Sequence, residues 1–215
     1  KFANTLKLRI LINQSGMTGR EAYIKTALAT QPHTTSDFLS VGEGAMLNPS
    51  YQKSAGKMNP FWENFYKQDG TQQSDGLQYY APNQDACDFL INNNDPREFR
   101  YFAANPAGII KGNYFGALTL EAPATLSVLG PGLLKSFDQD APIMTDFESL
   151  FLQAEAAQRG LITGNVKDLY ESAVASSIIY MGGINGTAGA AATYLAQEAK
   201  QLVNITISAD KIKTI

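Results

Sequence analysis

The distribution of proline divides this chain into three parts. All nine prolines of the 215 residues fall between positions 32 and 142, and both flanks lack proline. Proline fixes φ, has no backbone N–H to donate and breaks helices. We therefore expect helices at the two ends of the chain, with loops and short elements across the irregular region 31–141.

Apolar spacing predicts helices in the first flank. Phe2, Leu6 and Ile10 recur at i, i+4 and i+8, which is the spacing of one helical face. This pattern predicts a helix over 1–14. A shorter helix is predicted over 20–28, after the glycines that end the first one.

The last flank has clear helix boundaries. Thr145 and Glu148 form a T-x-x-E capping box, and an apolar stripe follows it up to Gly160. Asn165 can cap a second helix that runs to Gly182. Together the two helices would form an αα-hairpin of about 36 residues, close to the roughly 34 of a tetratricopeptide unit.

Further elements complete the predicted fold. A third helix is expected to start near Thr187 and to complete a helical layer over 144–203. In the middle region, alternation and apolar spacing predict a helix at 84–91 and short strands at 117–120 and 125–129. The predicted fold class is mainly α, with tetratricopeptide-like helical hairpins, a long loop-rich insertion and at most a small β-hairpin.

The charge balance and the scarcity of Cys and His exclude several function classes. With 17 basic and 20 acidic residues the formal net charge is −3, and neither sign is clustered, so the basic patch that nucleic-acid binding requires is missing. Cys87 and His33 are the only residues of their types, which excludes most zinc sites and most Cys–His or Ser–His nucleophiles. We expect no nucleic-acid partner, no cofactor and no metal ligands.

The strongest local signal is the aromatic segment 59–66. It contains four aromatic residues, the only tryptophan among them, beside amides and an acid. Flat rings stack on the apolar faces of sugars, while amide and carboxylate groups bind hydroxyls. We therefore predict Trp62 and Tyr66 as stacking platforms, with Asn59 and Glu63 as hydroxyl partners. The alternative is that rings four positions apart simply pack a short helix onto the core.

Three tyrosines extend this predicted ligand-binding set as secondary walls: Tyr79, Tyr80 and Tyr114. They belong to pairs of adjacent aromatic residues, in which an extended chain turns one ring inward and the other outward. Packing in the core is the alternative for each pair.

Paired carboxylates raise the alternative of a glycoside hydrolase. Glu63 with Asp69, or Asp138 with Asp140, can supply the two acids that this chemistry uses. Nothing in the sequence fixes either pair across a cleft. We interpret these acids as solvated loop residues and expect no enzyme activity.

Four segments have patterns that occur together in one known family. Residues 2–9 are similar to an A-N-S-L-K-L-R helix, and 59–62 to an N-P-aromatic loop. Residues 95–97 match a D-P-R turn, and 150–160 resemble an L-L-x-A-E-A-x-x-R-G segment. In this order they resemble the SusD/RagB family, the nutrient-binding outer-membrane lipoproteins of Bacteroidetes. The helix that contains the fourth segment usually opens with an Arg before its acidic residue, and no Arg is present at 145–148 of this chain, which indicates a divergent branch.

The resemblance implies a non-catalytic protein at the cell-surface face of the outer membrane. It would capture an oligosaccharide or another nutrient for a SusC-like TonB-dependent transporter, with a lipid anchor outside this chain as its only membrane association. It also implies that 1–215 is a single partial domain, without the family's upstream and downstream parts. Ligand residues vary within the family, so none is transferred here. The alternatives are a glycoside hydrolase and a helical adaptor that binds another protein.

Overall fold

The computed structural model describes residues 1–30, 34–73 and 80–215. Its helices are α1 (Phe2–Ile12), α2 (Glu21–Ala29), α3 (Pro60–Glu63), α4 (Gln84–Asn92), α5 (Glu98–Tyr101), α6 (Asp146–Gln158), α7 (Val166–Met181), α8 (Ala188–Leu195) and α9 (Lys211–Thr214). Its strands are β1 (Ala45–Leu47), β2 (Phe102–Ala103), β3 (Val128–Leu129) and β4 (Ala141–Met144). The strands pair as β1 with β4 and β2 with β3. The predicted mainly α fold class is confirmed.

The chain divides into two compact units. The first comprises 1–46, 142–177 and 195–215, and the second comprises 47–141 and 178–194. Each unit therefore joins segments that are far apart in the sequence. The interpretation of the whole chain as a single partial domain stays a prediction. Within the described ranges, no helix combines the length and the hydrophobicity that crossing a bilayer requires.

Helix α1 supplies much of the core of the first unit. Leu8, Leu11 and Ile12 are at most 5% exposed. They pack with two buried residues of α2 and with Phe38 and Ala156. The predicted helices over 1–14 and 20–28 are confirmed to within two residues at each end.

The predicted apolar stripe of α1 is not the face that packs into this core. Phe2, Leu6 and Ile10 remain 40%, 37% and 54% exposed, whereas Thr5 is fully buried. Apolar side chains lie on two sides of α1. An i, i+4 spacing identifies a face but does not determine which of two apolar faces packs inward.

A buried polar network explains why Thr5 lies inside. Thr5 Oγ1 accepts from Leu39 N at 3.0 Å, and Ser149 Oγ donates to Leu39 O at 2.7 Å. Gln153 Nε2 donates to Leu39 O and to Ser149 Oγ, both at 3.0 Å. These polar groups have partners, so α1 and α6 can meet through buried polar side chains without unpaired donors at the contact.

Capping side chains set the starts of α6 and α7. Thr145 Oγ1 accepts from Glu148 N at 3.1 Å, which is one half of the predicted capping box. The Glu148 carboxylate instead accepts from Arg9 Nη1 at 3.0 Å. Asn165 Oδ1 accepts from Lys167 N at 3.0 Å. Both predicted helices are confirmed at these caps.

The predicted helical layer over 144–203 ends earlier than expected. Helix α8 stops at Leu195, and successive turns follow it. In these turns Val203 and Ile205 are 0% and 2% exposed. Residues two positions apart lie on different faces of a helix, so turns allow both to be buried where a helix would not. The layer prediction is therefore wrong beyond Leu195.

The small sheet of the second unit differs from the predicted hairpin. Its antiparallel register pairs Phe102 with Leu129 and Ala103 with Val128. The end of the predicted strand 125–129 is thus a strand, but its partner is not 117–120. Leu118 is fully exposed and Leu120 is 68% exposed in a loop. Alternating apolar residues there have no neighbouring strand or core to pack against, so they form no ladder.

A buried ion pair fixes the turn between α4 and α5. Arg97 Nη2 lies 2.6 Å from Asp95 Oδ2, and the Asp95 side chain is 0% exposed. Arg97 N and Nε both donate to Asp95 Oδ1, at 2.9 and 2.8 Å. The guanidinium carbon lies 5.7 Å from the ring centroids of Tyr101 and Tyr194. Burial opposes the charge, but the hydrogen bond and attraction of Asp95 raise the pKa of Arg97 overall.

The 113–121 loop of the second unit is closed at its base. Asn113 Oδ1 accepts from Glu121 N at 3.0 Å, so one side chain joins the two ends. At the preceding position, a Cβ on Gly112 would lie 2.2 Å from Pro82 O. Only glycine fits that close approach of two backbone segments.

Candidate functional site

One side chain caps the short helix that opens the aromatic segment. Asn59 Oδ1 accepts from Phe61 N and Trp62 N at 2.9 and 3.2 Å, and Asn59 Nδ2 donates to Gln139 O at 2.8 Å. Asn59 is 1% exposed. The prediction of Asn59 as a hydroxyl partner is therefore corrected, because its amide is buried and bonded within the protein. It is the N-cap that orients α3.

The rings that follow this cap form one connected group, which we call the aromatic platform: Phe61, Trp62, Phe65, Tyr66 and Tyr80. Trp62 and Tyr66 stack with ring centroids 4.2 Å apart and planes inclined by 17°. Phe61 and Tyr80 each meet Phe65 edge-on, with centroids 5.4 Å apart in both pairs. The platform therefore consists of a stacked pair and an edge-on trio, and the stacked pair packs against the cluster that contains Phe65.

Burial within the platform separates its anchor from its accessible rings. Phe65 is 4% exposed and packs with Leu134 in a small core. Phe61 and Tyr80 are 42% and 58% exposed, and Trp62 and Tyr66 are half-buried. Rings four positions apart pack together, as the core-packing alternative predicts. Some rings of the platform nevertheless remain accessible to a ligand. Because Trp62 and Tyr66 cover one face of each other, each can offer only its opposite face to a ligand.

A tight hairpin follows the platform. Lys67 N donates to Thr71 O at 2.8 Å, and Gly70 N donates to Lys67 O at 3.0 Å. Gly70 has a φ of +86°, the left-handed conformation that closes such a turn. Asp69 Oδ1 accepts from Thr71 N and Oγ1 at 2.9 and 2.6 Å. These hydrogen bonds lower the pKa of Asp69.

An open groove with a volume of about 350 Å³ lies beside this hairpin. The described residues that line it are Lys53, Lys67, Gln68 and Asp69. Glu63 Oε1 accepts from Gly56 N at 2.6 Å, which ties α3 to the loop that contains Lys53. Among the described residues, Glu63 Oε2 has no hydrogen-bond partner, so it stays available as the predicted hydroxyl acceptor.

Tyr114 lies in another part of the second unit. Its hydroxyl donates to Asp88 Oδ2 on α4 at 3.1 Å, and this hydrogen bond raises the pKa of Tyr114. It is 54% exposed. No ring contact within the described ranges joins Tyr114 to the aromatic platform. Tyr79 lies outside the described residues. The structure thus groups Trp62, Glu63, Tyr66 and Tyr80, and Tyr114 stands apart from them.

The carboxylates considered for catalysis stabilise loops. Asp140 Oδ1 accepts from Asn48 Nδ2 at 2.8 Å, and Asp138 Oδ1 accepts from Ser136 Oγ at 2.6 Å. A glycosidase needs a general acid whose pKa is raised, whereas the pKa of Asp69 is lowered. Across 1–30, 34–73 and 80–215, no group of three or more His, Cys, Asp or Glu side chains is placed to hold a metal ion.

The only cysteine of the chain has no exposed chemistry. Cys87 is fully buried, and burial raises the pKa of its thiol to about 11. A buried protonated thiol is a poor nucleophile and metal ligand. His33 lies outside the described residues.

Sequence reasoning misses three side chains of this region. Phe61 has a signal, because it lies four positions before the anchoring ring Phe65, which it contacts edge-on. Lys53 and Lys67 lie in loops without periodicity. Only the folded hairpin and its neighbouring loop bring these two lysines to one groove.

Comparison with known proteins places this geometry in a family. A family model named SusD-like, described as "Starch-binding associating with outer membrane", matches residues 1–214. No curated protein sequence matches the chain.

Solved structures share the fold at low sequence identity. A SusD homologue from Bacteroides fragilis aligns with a TM-score of 0.71 and 20% identity, covering 99% of this chain and 48% of that protein. A chitin-binding SusD homologue from Flavobacterium johnsoniae gives 0.63 and 21%, covering 93% and 38%. A SusD-like protein from Bacteroides thetaiotaomicron gives 0.62 and 26%, covering 91% and 37%.

The chain spans less than half of the length of these solved structures, from 37% to 48%. Their agreement in fold extends over 91% or more of the chain itself. The sequence resemblance, the helical fold and a family model that covers residues 1–214 all agree. The chain belongs to the SusD-like family.

Proposed function

We propose that this chain is part of a non-catalytic binding protein of the outer membrane. It captures an oligosaccharide or another nutrient at the cell surface and delivers it to a SusC-like TonB-dependent transporter. The observation that carries the proposal is the aromatic platform, whose rings lie on and beside the capped helix α3 and are partly accessible. Membership of a family described as starch-binding, and the similarity to a chitin-binding homologue, support a glycan as the ligand.

Binding on this surface combines stacking with hydroxyl hydrogen bonds. The apolar face of a sugar ring lies against Trp62 or Tyr66, and Tyr80 provides a second wall. The free oxygen of Glu63 accepts from a sugar hydroxyl. An aromatic contact is worth about 0.5–1.5 kcal/mol beyond the area that it buries. Tyr114 contributes only to a ligand long enough to leave the platform.

The assignment of binding without turnover is supported by what the candidate acids do. Their carboxylate oxygens accept hydrogen bonds from loop groups: Gly56 N, Thr71 N, Ser136 Oγ and Asn48 Nδ2. Such carboxylates hold loops in place. A hydrolase would instead hold two of them across a bound sugar with their pKa values pushed apart.

Substitution of Trp62 tests the proposal. Trp62→Ala should weaken binding of chitin and malto-oligosaccharides by about 2- to 10-fold, because one stacking surface is lost. Isothermal titration calorimetry gives the affinity, and urea unfolding checks that the variant is folded. Trp62→Phe keeps a ring on the platform and should lose less. Tyr23→Ala, an exposed ring of the first unit at 51% exposure, is the matched control and should bind as the parent does.

Three outcomes separate the candidate functions. Full glycan affinity in a folded Trp62→Ala variant would remove the platform as the site. Release of reducing ends from a polysaccharide panel would favour the hydrolase. A protein-binding adaptor is favoured by the exposed apolar tip of the 113–121 loop, where Phe115 is 95% exposed. That candidate predicts no glycan binding and co-purification with a transporter.

A further inference from the structure

Beside the aromatic platform, the groove of the second unit presents cationic groups. Of the four described side chains that line it, two are the lysines Lys53 and Lys67, which carry ammonium groups. Ion pairs occupy several other lysines of the chain, such as Lys111, which binds Glu121 at 3.0 Å. Among the described residues, neither Lys53 nor Lys67 forms such a pair. Both are exposed and can meet a ligand.

The acids near this groove are already hydrogen-bonded to the protein. Asp69 Oδ1 accepts both hydrogen bonds of Thr71. Lys67 also lowers the pKa of Asp69, after the larger effect of those bonds. One oxygen of Glu63 accepts from Gly56 N. Among the described residues, the lining therefore contains two ammonium groups and one carboxylate, which leaves one positive charge in excess.

Each of the two groove lysines is linked to the aromatic platform through the chain or through a hydrogen bond. Lys67 directly follows Tyr66, which is half of the stacked ring pair. Lys53 lies in the loop whose Gly56 is bonded to Glu63 on α3. A sugar that lies on the rings would thus have its neighbouring residues close to the two lysines. Gln68 adds an amide that can bind hydroxyls at the same groove.

We infer that the ligand class is an anionic oligosaccharide, in which a carboxylate or sulfate group binds between Lys53 and Lys67 while a sugar ring stacks on the aromatic platform. This inference rests on the proposed function and specifies its substrate. Ammonium groups at an exposed groove attract such an anion, and each exposed charge pair contributes modestly. Neutral glycans would still stack, but they would gain nothing from the two charges.

The test compares matched oligosaccharides on the purified chain. Tetragalacturonate supplies carboxylates, a sulfated tetrasaccharide supplies sulfates, and chitotetraose and maltotetraose are neutral. Calorimetry in 20 mM and 300 mM NaCl gives each affinity. We expect an anionic tetrasaccharide to bind about 5-fold or more tightly than the neutral ones at low salt, and to lose most of that advantage at high salt, because salt screens exposed charges.

Substitutions test whether the two groove lysines cause the preference for anionic oligosaccharides. The double variant Lys53→Gln/Lys67→Gln should weaken binding of the anionic tetrasaccharide by about 5-fold and leave neutral binding within about 2-fold. Lys211→Gln, an exposed lysine of the first unit, is the control and should change neither. The arm that binds more tightly, carboxylate or sulfate, identifies the anionic group.

Failure of this inference can be distinguished from failure of the proposed function. If chitotetraose or maltotetraose binds as tightly as both anionic sugars, or if the double variant keeps the anionic affinity, the inference is overturned and the proposed function stands. If none of the four tetrasaccharides binds, both are overturned.

Discussion

The first unit is held together by helix faces that meet, whereas the second unit depends on single polar side chains that fix its loops. In the first unit, α1, α2 and α6 share one apolar cluster with a buried polar network at its edge. In the second unit the longest complete helix, α4, has nine residues. Arg97 and two buried asparagines there replace long helices as the organising contacts.

The asparagines show how this works. Asn105 Oδ1 accepts from Ala107 N and Ile109 N at 3.0 and 3.2 Å, and its Nδ2 donates to Thr125 O at 2.8 Å. Asn59 has the same arrangement at α3, with two backbone donors and one distant carbonyl. A single amide thus closes a local turn and joins it to a segment far along the chain. The difference between the units teaches that the proposed ligand-binding surface lies in the unit whose shape depends on individual polar side chains.

The largest expected effect is at the buried ion pair of the second unit. Arg97→Met should lower the free energy of unfolding by about 3–5 kcal/mol, because it leaves the Asp95 carboxylate buried without its partner. Urea unfolding at pH 7 measures the loss. Adding Asp95→Asn to this variant should restore part of it, since the unpaired charge is removed.

An exposed pair provides the control for Arg97. Lys111→Met removes one partner of the half-exposed pair with Glu121 and should cost about 1 kcal/mol or less. If Arg97→Met cost no more than Lys111→Met, the second unit would not depend on its polar anchors, and the contrast between the units would fail.

The next effect is at the cap of α3. Asn59→Ala should lower the free energy of unfolding by about 0.5–2 kcal/mol, because Phe61 N and Trp62 N lose their acceptor. Asn59→Ser keeps a capping oxygen and should lose less. Both are measured by urea unfolding beside glycan affinity. Loss of affinity in Asn59→Ala with no loss of stability would mean that Asn59 contacts ligand directly, contrary to its burial.

The smallest effect is at an exposed ion pair of the first unit. Hydrogen bonds from Lys1 and Ser40 lower the pKa of Glu43 from 4.5 to about 2. A pKa that folding lowers contributes stability that is fully present above about pH 4.5 and is lost as the pH falls towards 2. Parent and Glu43→Gln should therefore differ slightly in urea midpoint at pH 6 and converge near pH 2. An equal difference at both pH values would contradict this assignment.

The sequence predicted the helical fold where the helices are long. Asn165 and Thr145 act as the caps that their positions indicate. The sequence also indicated the stacked pair of the platform, because Trp62 and Tyr66 are four positions apart. Such features depend on neighbours within one or two turns, and local pattern contains that information.

Long-range choices were not predictable from the same patterns. Which apolar face of α1 packs inward depends on Ser149 and Gln153, more than a hundred residues away. The partner of β3 is β2 rather than the alternating segment 117–120, because alternation does not specify which strand lies beside it. The burial of Asn59 could not be predicted either, because its Nδ2 donates a hydrogen bond to Gln139 O, which lies 80 positions away in the sequence.

The closure of the 113–121 loop has an evolutionary consequence. Asn113 joins its two ends, and Gly112 allows the close approach of the backbone at its base, so the tip residues 115–120 have little influence on the rest of the unit. Phe115 and Leu118 extend from that interval almost without neighbours. Related proteins can therefore exchange, lengthen or shorten this tip while the scaffold stays intact, which makes it a natural position for acquiring new recognition.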